Sequence, residues 1–448
     1  MTLKNRLYLP LFILLGLTFC LSQWVHAEIT ARETPHAPDW QGTATTISEA
    51  GQVADSPFLA ASANGNKLIV VFNRRIGAGN NKDPYYNRST NGGATWLASP
   101  APIYTSLTES SLEVNVTIDG SGTGHAVWVE SEYRVLYAAE PSWGGSTPTP
   151  ISDDITDIQA SNPQIVATGS NTLHVIWSAT NAISGLTQIW HKRSDNGGST
   201  WSAKDLVSSN ALEAIAPHMS ADGQGNLHVV WEQTSNISEF KSYIYYTKGT
   251  VSGQAINWST AVRIGDVDDV GDNWSARQPK ISATGRLRVA FTAFEDNEVG
   301  EDDLEFVHYV TCSSNCQTSQ NWSNDQNISG TALRINANLP NRYIVSDIFE
   351  VRGCAYIYFH GIDNIFVENN EQIIGANSCD GWSAGRNGRD VITQPQNQSL
   401  HVSAAITDAW IHVVYEQGDS EGQTTTRQIY YLRGAPPPYT VLLPLVRR

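Results

Sequence analysis

Arg74, Arg75, Asp83, Glu130, Glu232, Arg277 and Glu416 are the residues of this 448-residue chain whose types and placing offer chemistry. A guanidinium presents paired donors to a carboxylate or phosphate. Carboxyl groups serve as acid, base or nucleophile at a glycosidic bond. Arg74 and Arg75 close the run Phe72-Asn73-Arg74-Arg75, and Asp83 follows in what reads as the next loop. An anion contact beside a proton donor is the chemistry expected there. Glu232 and Glu416 directly follow an aromatic that ends an apolar run, Glu130 comes two residues after one, and Arg277 stands in Arg277-Gln278-Pro279. Tyr415-Glu416 pairs a phenol with a carboxylate in sequence, but neighbours on a strand point to opposite faces.

Other polar groups read as structural. His125, His174, His228 and His412 each lie three residues before an aromatic, so one position recurs four times and serves packing rather than catalysis. Asp266, Asp268, Asp269, Asp272, Glu301, Asp302 and Asp303 could offer oxygens to calcium. Their spacing matches no EF-hand, so a solvated acidic surface is expected, with no metal or cofactor assigned.

The elements that hold these residues are short strands. Leu173-His174-Val175-Ile176-Trp177 returns as Leu227-His228-Val229-Val230-Trp231 and as Ile411-His412-Val413-Val414-Tyr415, with weaker copies at 68–72, 125–128, 287–291 and 355–359. A strand opened by proline precedes several copies, at Pro57, Pro163, Pro217 and Pro279. An aromatic and β-branched strand follows each, and then a strand begun by Trp96, Trp143, Trp201, Trp258, Trp322 or Trp382. Four strands per unit, repeated along the chain, are the anatomy of a β-propeller blade. The fold expected is all-β, with seven four-stranded blades; six blades is the alternative. The last unit lacks its fourth strand, and Trp40 through Ile47-Ser48 supplies one from the other end of the propeller. Apolar residues on both faces of the second strands fit blades packed between two neighbours.

Lys4 and Arg6, the apolar run 7–21 and Val25-His26-Ala27 read as a signal peptide over residues 1–27. The run is too short for a membrane span. Losing the leader takes the net charge from −16 to −18, which argues against nucleic-acid partners. A secreted, extracellular or cell-surface protein is expected. Cys312, Cys316, Cys354 and Cys379 then form two local disulfides, 312–316 and 354–379. One propeller domain spans 28–434, and 435–448 is a Pro-rich linker with an apolar tail.

Two segments are more specific. Ser89-Thr90-Asn91-Gly92-Gly93-Ala94-Thr95-Trp96 and Ser194-Asp195-Asn196-Gly197-Gly198-Ser199-Thr200-Trp201 share the pattern S-x-N-G-G-x-T-W. This resembles the Asp box, or BNR repeat, and the chain is similar to the sialidase-like propellers that carry it. The resemblance implies that Ser89, Asn91, Gly93, Thr95, Trp96, Ser194, Asn196, Gly198, Thr200 and Trp201 are fold elements away from the functional face. It also implies an arginine triad, a Tyr–Glu pair and an acidic Asp in catalytic members. The family's first arginine opens the first blade, where this chain has Asp55-Ser56-Pro57. The expected function is therefore a propeller that binds glycans or cell-surface proteins without sialidase chemistry. The alternative is an exo-acting glycosidase of sialidase type, rebuilt around Arg74, Arg75 and Arg277 with Asp83 as acid. Either way, the ligand is expected on the face formed by the loops after second strands and between blades.

Overall fold

Each copy of the apolar phrase forms a strand buried on both faces, such as Leu173–Asn181, Leu227–Thr234 and Ile411–Gly418. These are the second strands of seven antiparallel sheets in a computed structural model. It describes residues 38–436 except 78, 107, 132, 153–155, 210–211, 235–240, 266–273, 296–302, 330–332, 336–343, 352, 362–370, 380–388, 394–397 and 419–426. Blades 1 to 6 span 54–102, 111–150, 157–206, 214–264, 274–335 and 344–391. Blade 7 joins 398–435 to 39–46. Asp39 and Trp40 pair with Ala435 and Gly434, while Thr45 and Thr46 pair with Tyr431 and Tyr430. The ring closes as expected, and residues 39–46 cover the outer edge of Gln428–Ala435. A single 3-10 turn, Ser319–Asn321, is the only helical element among the described residues. Both disulfides form as expected, Cys312–Cys316 and Cys354–Cys379.

Two details differ from the sequence reading. The prolines do not open the first strands. Ala54–Ala61, Asp157–Ala167, Ala214–Ala221 and Trp274–Ser282 begin earlier, and Pro57, Pro163, Pro217 and Pro279 lie inside them at register shifts. A β-bulge leaves a residue outside the ladder, so a residue without an N–H is tolerated there. The fourth strands are also shorter than expected and start after the Trp, as in Ala101–Pro102 and Asp205–Leu206. Trp382 lies outside the described residues.

Hydrophobic contact runs between blades. Ile69 and Val71 of blade 1 pack with Val114, Ala126 and Trp128 of blade 2, while Leu68, Val70 and Phe72 meet Val414 and Tyr431 of blade 7. The recurring histidines join this packing. His125, His228 and His412 bond through Nδ1 to the hydroxyls of Tyr137, Tyr246 and Tyr431 at 2.8–2.9 Å, and His174 bonds to His191 at 3.0 Å. Each partner ring then meets the Trp of the following blade edge-on: Tyr137 meets Trp201, His191 meets Trp258, Tyr246 meets Trp322 and Tyr431 meets Trp96.

The two S-x-N-G-G-x-T-W segments are tight turns. Ser89 Oγ accepts the Gly93 amide and Asn91 Oδ1 the Thr95 amide, both at 2.9 Å, and Ser194 and Asn196 repeat this with Gly198 and Thr200. Gly93 and Gly198 have φ of +81° and +86°. A Cβ there would overlap the hydroxyls of Tyr431 and Tyr137, so these positions need glycine twice over.

Candidate functional site

All seven first strands carry their register shift at the same depth and so surround one axial cavity of about 280 Å3. Ser56, Glu113, Asn162, Ala216, Gln278 and His401 sit at these bulges with φ between +43° and +53°. None is glycine, and each such backbone costs on the order of 1 kcal/mol. The bulge turns the following side chains toward the axis. Asn115, Gln164, His218, Asp347 and Ser403 each accept the amide of the next blade's first strand: Ile165, Met219, Ile281, Ala404 and Leu59, respectively.

Two positions break this ring: Phe58 in blade 1, which has no polar group, and Lys280 in blade 5. An ammonium cannot accept, and the amide it would have served, that of Ile348, is taken by Asp347's own Oδ1 at 2.9 Å. Burial pushes the Lys280 ammonium down from its ordinary range, and it pushes the Asp347 carboxyl up to about 6. Beside Lys280, His218 Nδ1 is occupied by the Ile281 amide at 3.1 Å. The imidazole is therefore the Nε2–H tautomer, and His218 lines the cavity. The cavity wall thus mixes polar groups with apolar ones, the rings of Pro57, Pro163, Pro217 and Pro279 and the side chains of Phe58, Val114, Val345 and Val402. Sequence reasoning missed Lys280, Gln164 and Gln278, although their shared position one or two residues around each bulge proline marked them.

The residues singled out from the sequence all lie on the face of the inter-blade and second-to-third-strand loops, but not together. Arg74 and Arg75 end the second strand Leu68–Arg75, and neither lines the cavity. Arg74 pairs with Glu49 at 2.8 Å and lies over the Tyr85 ring. Arg277 lies over Phe294. Glu232 accepts the Gln278 amide across a blade junction at 3.4 Å, and burial pushes its carboxyl up against the pull of Arg277. Glu416 is 1% exposed and receives His401 Nδ1 at 2.9 Å, Arg427 at 2.7 Å and the Ser56 amide at 3.0 Å. Burial alone would raise this carboxyl, but those partners outweigh it and hold it below the usual range.

Asp83 is not in a loop. It is the second residue of the third strand Lys82–Ser89 and is 1% exposed, with the segment at Ser106 bonded to it. Its Oδ1 accepts the Ser106 amide, its Oδ2 is buried without a bond, and burial pushes its pKa up. Glu130 is buried nearby in blade 2, where Arg134 bridges it to Glu109 at 3.2 Å each. Burial, then the Glu109 carboxylate, pushes Glu130 up to about 7. On the same face, blades 2 to 4 leave Leu112, Tyr133, Ile158, Ile183 and Ile215 exposed. Among the described residues no acidic or His/Cys cluster is arranged to hold a metal ion. The acidic stretches 266–272 and 301–302 lie outside them.

A closed propeller with S-x-N-G-G-x-T-W turns decides the architecture. The fold is a seven-bladed β-propeller of four-stranded antiparallel blades. Solved structures similar to this propeller include the polysaccharide lyase Uly1, at 11% identity over 91% of this chain and 93% of that one, TM-score 0.54. The intramolecular trans-sialidase from Ruminococcus gnavus is 15% identical over 90% and 98%, TM-score 0.44. The GH93 alpha-L-arabinofuranosidase of Fusarium graminearum is 13% identical over 72% and 93%, TM-score 0.46. Such identities speak for the fold alone. No family model matches the sequence, and no curated protein is similar to it at the sequence level.

Proposed function

We propose that the protein is a secreted propeller that binds glycan at its axial cavity, without sialidase-type catalysis. The observation that carries this is the composition of the cavity wall: amide, hydroxyl and imidazole groups with one carboxyl, Glu113, and one ammonium, Lys280, set among proline rings and apolar side chains, and no arginine among its lining residues. A sialidase-type site would need guanidinium groups converging on a carboxylate. Arg74 and Arg277 are instead stacked on Tyr85 and Phe294 in different blades. Amide and hydroxyl groups match sugar hydroxyls, and the proline rings and exposed Leu112, Ile158 and Ile215 suit the C–H faces of a sugar. The test is a panel of oligosaccharides with the wild type and Gln278→Ala, alongside a fluorogenic sialoside. Binding should weaken about tenfold in the variant, roughly the worth of one hydrogen bond, with no sialoside cleavage. Sialoside turnover, or no saccharide bound by the wild type, would sink this reading.

A second reading has its own observation. Glu130 at about 7 is a carboxyl poised as a general acid at neutral pH, and Asp83 is buried on the same face. An exo-acting glycosidase would use these two carboxyl groups. Hydrolysis of a neutral aryl glycoside that disappears in both Glu130→Gln and Asp83→Asn would favour it over binding alone.

A further inference from the structure

Blade 2, between the two blades that carry the boxed turn, does not have it. Where blade 1 has Ser89 and blade 3 has Ser194, each paired with the leucine that opens the second strand, blade 2 has Glu140, whose amide bonds to Gly124. The turn then runs Glu140-Pro141-Ser142-Trp143. A cleft of about 430 Å3 lies beside this turn between blades 1 and 2, on the face opposite the axial mouth. Lys67, Arg88, Glu140, Tyr86 and Trp143 line it.

Two cations share one carboxylate there. Lys67 Nζ lies 2.5 Å from Glu140 Oε2 and 2.7 Å from the Gly122 carbonyl, and Arg88 lies 3.0 Å from Glu140 Oε1. The Gly124 amide also donates to Glu140 at 2.8 Å. Asp119, in the neighbouring hairpin, is turned toward Ser121, Thr123 and His125 and does not line the cleft. The cleft therefore holds one unit of positive charge more than it balances, within a chain of net charge −16. Its wall is aromatic: Tyr86 and Trp143 lie 4.7 Å apart, both only partly buried. An aromatic wall beside surplus positive charge matches a flat ring that carries one negative charge.

We propose that this cleft is a second binding site, specific for a sugar ring bearing a single carboxylate or sulfate, with the ring against Trp143 and the anion at Arg88. The sugar part rests on the glycan reading above; the site itself is separate from the axial cavity. Calorimetry with methyl glucuronide, galactose 6-sulfate and uncharged methyl galactoside tests it on the full chain. Both acidic sugars should bind, more weakly as salt rises, and the neutral glycoside should not bind in this cleft. Arg88→Gln leaves Lys67 paired with Glu140 and should cost about tenfold in affinity, the size expected for one charge-assisted bond. Trp143→Leu should weaken both acidic sugars. Glu140→Gln keeps an acceptor for Gly124 and should tighten binding, a sign that a purely structural ion pair does not produce. Unchanged melting of Arg88→Gln shows that the fold is intact. Acidic sugars that bind Arg88→Gln as well as wild type, or fail to bind wild type, overturn the second site. If Lys280→Met removes acidic-sugar binding and Arg88→Gln does not, the axial reading stands and this one falls.

Discussion

Glu416 and Glu130 show how one residue type takes two roles at similar depth. Glu416 has three partners, and truncating one member of such a buried set costs about 3–5 kcal/mol. Glu416→Ala should show that loss in denaturant melts. Its partner His401 is held above its ordinary range: burial pulls it down, and Glu416 outweighs that. A raised histidine contributes stability that is full below the unfolded pKa and fades as pH rises through the folded one. Glu416 works oppositely, its contribution fading as pH falls through its lowered pKa. The junction of blades 7 and 1 should therefore be firmest in mildly acid solution and loosen above neutrality, and His401→Gln should flatten that upper limb. Glu130 is the reverse case, a carboxyl raised to about 7, so ionising it at neutral pH opposes folding. Glu130→Gln should gain about 1 kcal/mol at pH 8 and nothing at pH 4. Equal melting of wild type and variant at both values would refute the burial account. Arg74, paired with a half-exposed Glu49, should lose no more than about 1 kcal/mol on mutation to alanine.

At the scale of the element, the blade is defined by what it hands to the next blade. In five blades the polar side chain after the bulge accepts a neighbour's amide near the axis, and the His–Tyr–Trp contacts link blades further out. Asn115→Leu should leave the Ile165 amide unsatisfied and cost about 1–3 kcal/mol. Gly198→Ala forces a side chain onto φ +86° and into Tyr137, so it should destabilise more than Ala substitution at an open turn glycine such as Gly253. Comparable melting temperatures for the two would remove the boxed turn's linking role. The same logic explains why the boxed serine can vanish from blade 2. Glu140 holds the opposite strand through Gly124 while releasing the turn for other use.

For the whole molecule, the decisive contact joins residues almost 400 positions apart. Trp40 packs with the core of blades 6 and 7, and Ile47 lies between blades 7 and 1, its amide bonded to the Ile429 carbonyl at 2.9 Å. A chain beginning at residue 49 would expose the edge of Gln428–Ala435 and lose this closure. It should melt at lower temperature and aggregate through that edge. Adding a synthetic 38–48 peptide should restore much of the loss. Failure of the peptide to raise the melting temperature would mean that the ring is held mainly by the six other junctions.

The sequence by itself determined the blade number, the closure, both disulfides and the structural rank of the histidines. Those features are periodic or local: a repeat writes the same residue types at each equivalent place, and each disulfide lies within one blade. The tertiary structure decided which singular residues meet. Arg74 and Arg75 sit side by side in sequence yet stand outside the cavity, while Gln164, His218 and Lys280, each more than 50 residues from the next, face one axis. Circular closure is the physical reason. It brings the same depth of seven distant strands to a common centre, and no spacing along the chain records that distance. The bulges, too, were visible only as prolines until pairing revealed that they turn side chains inward. Lys280 looked ordinary in the sequence; only beside five acceptors does a donor at that position stand out.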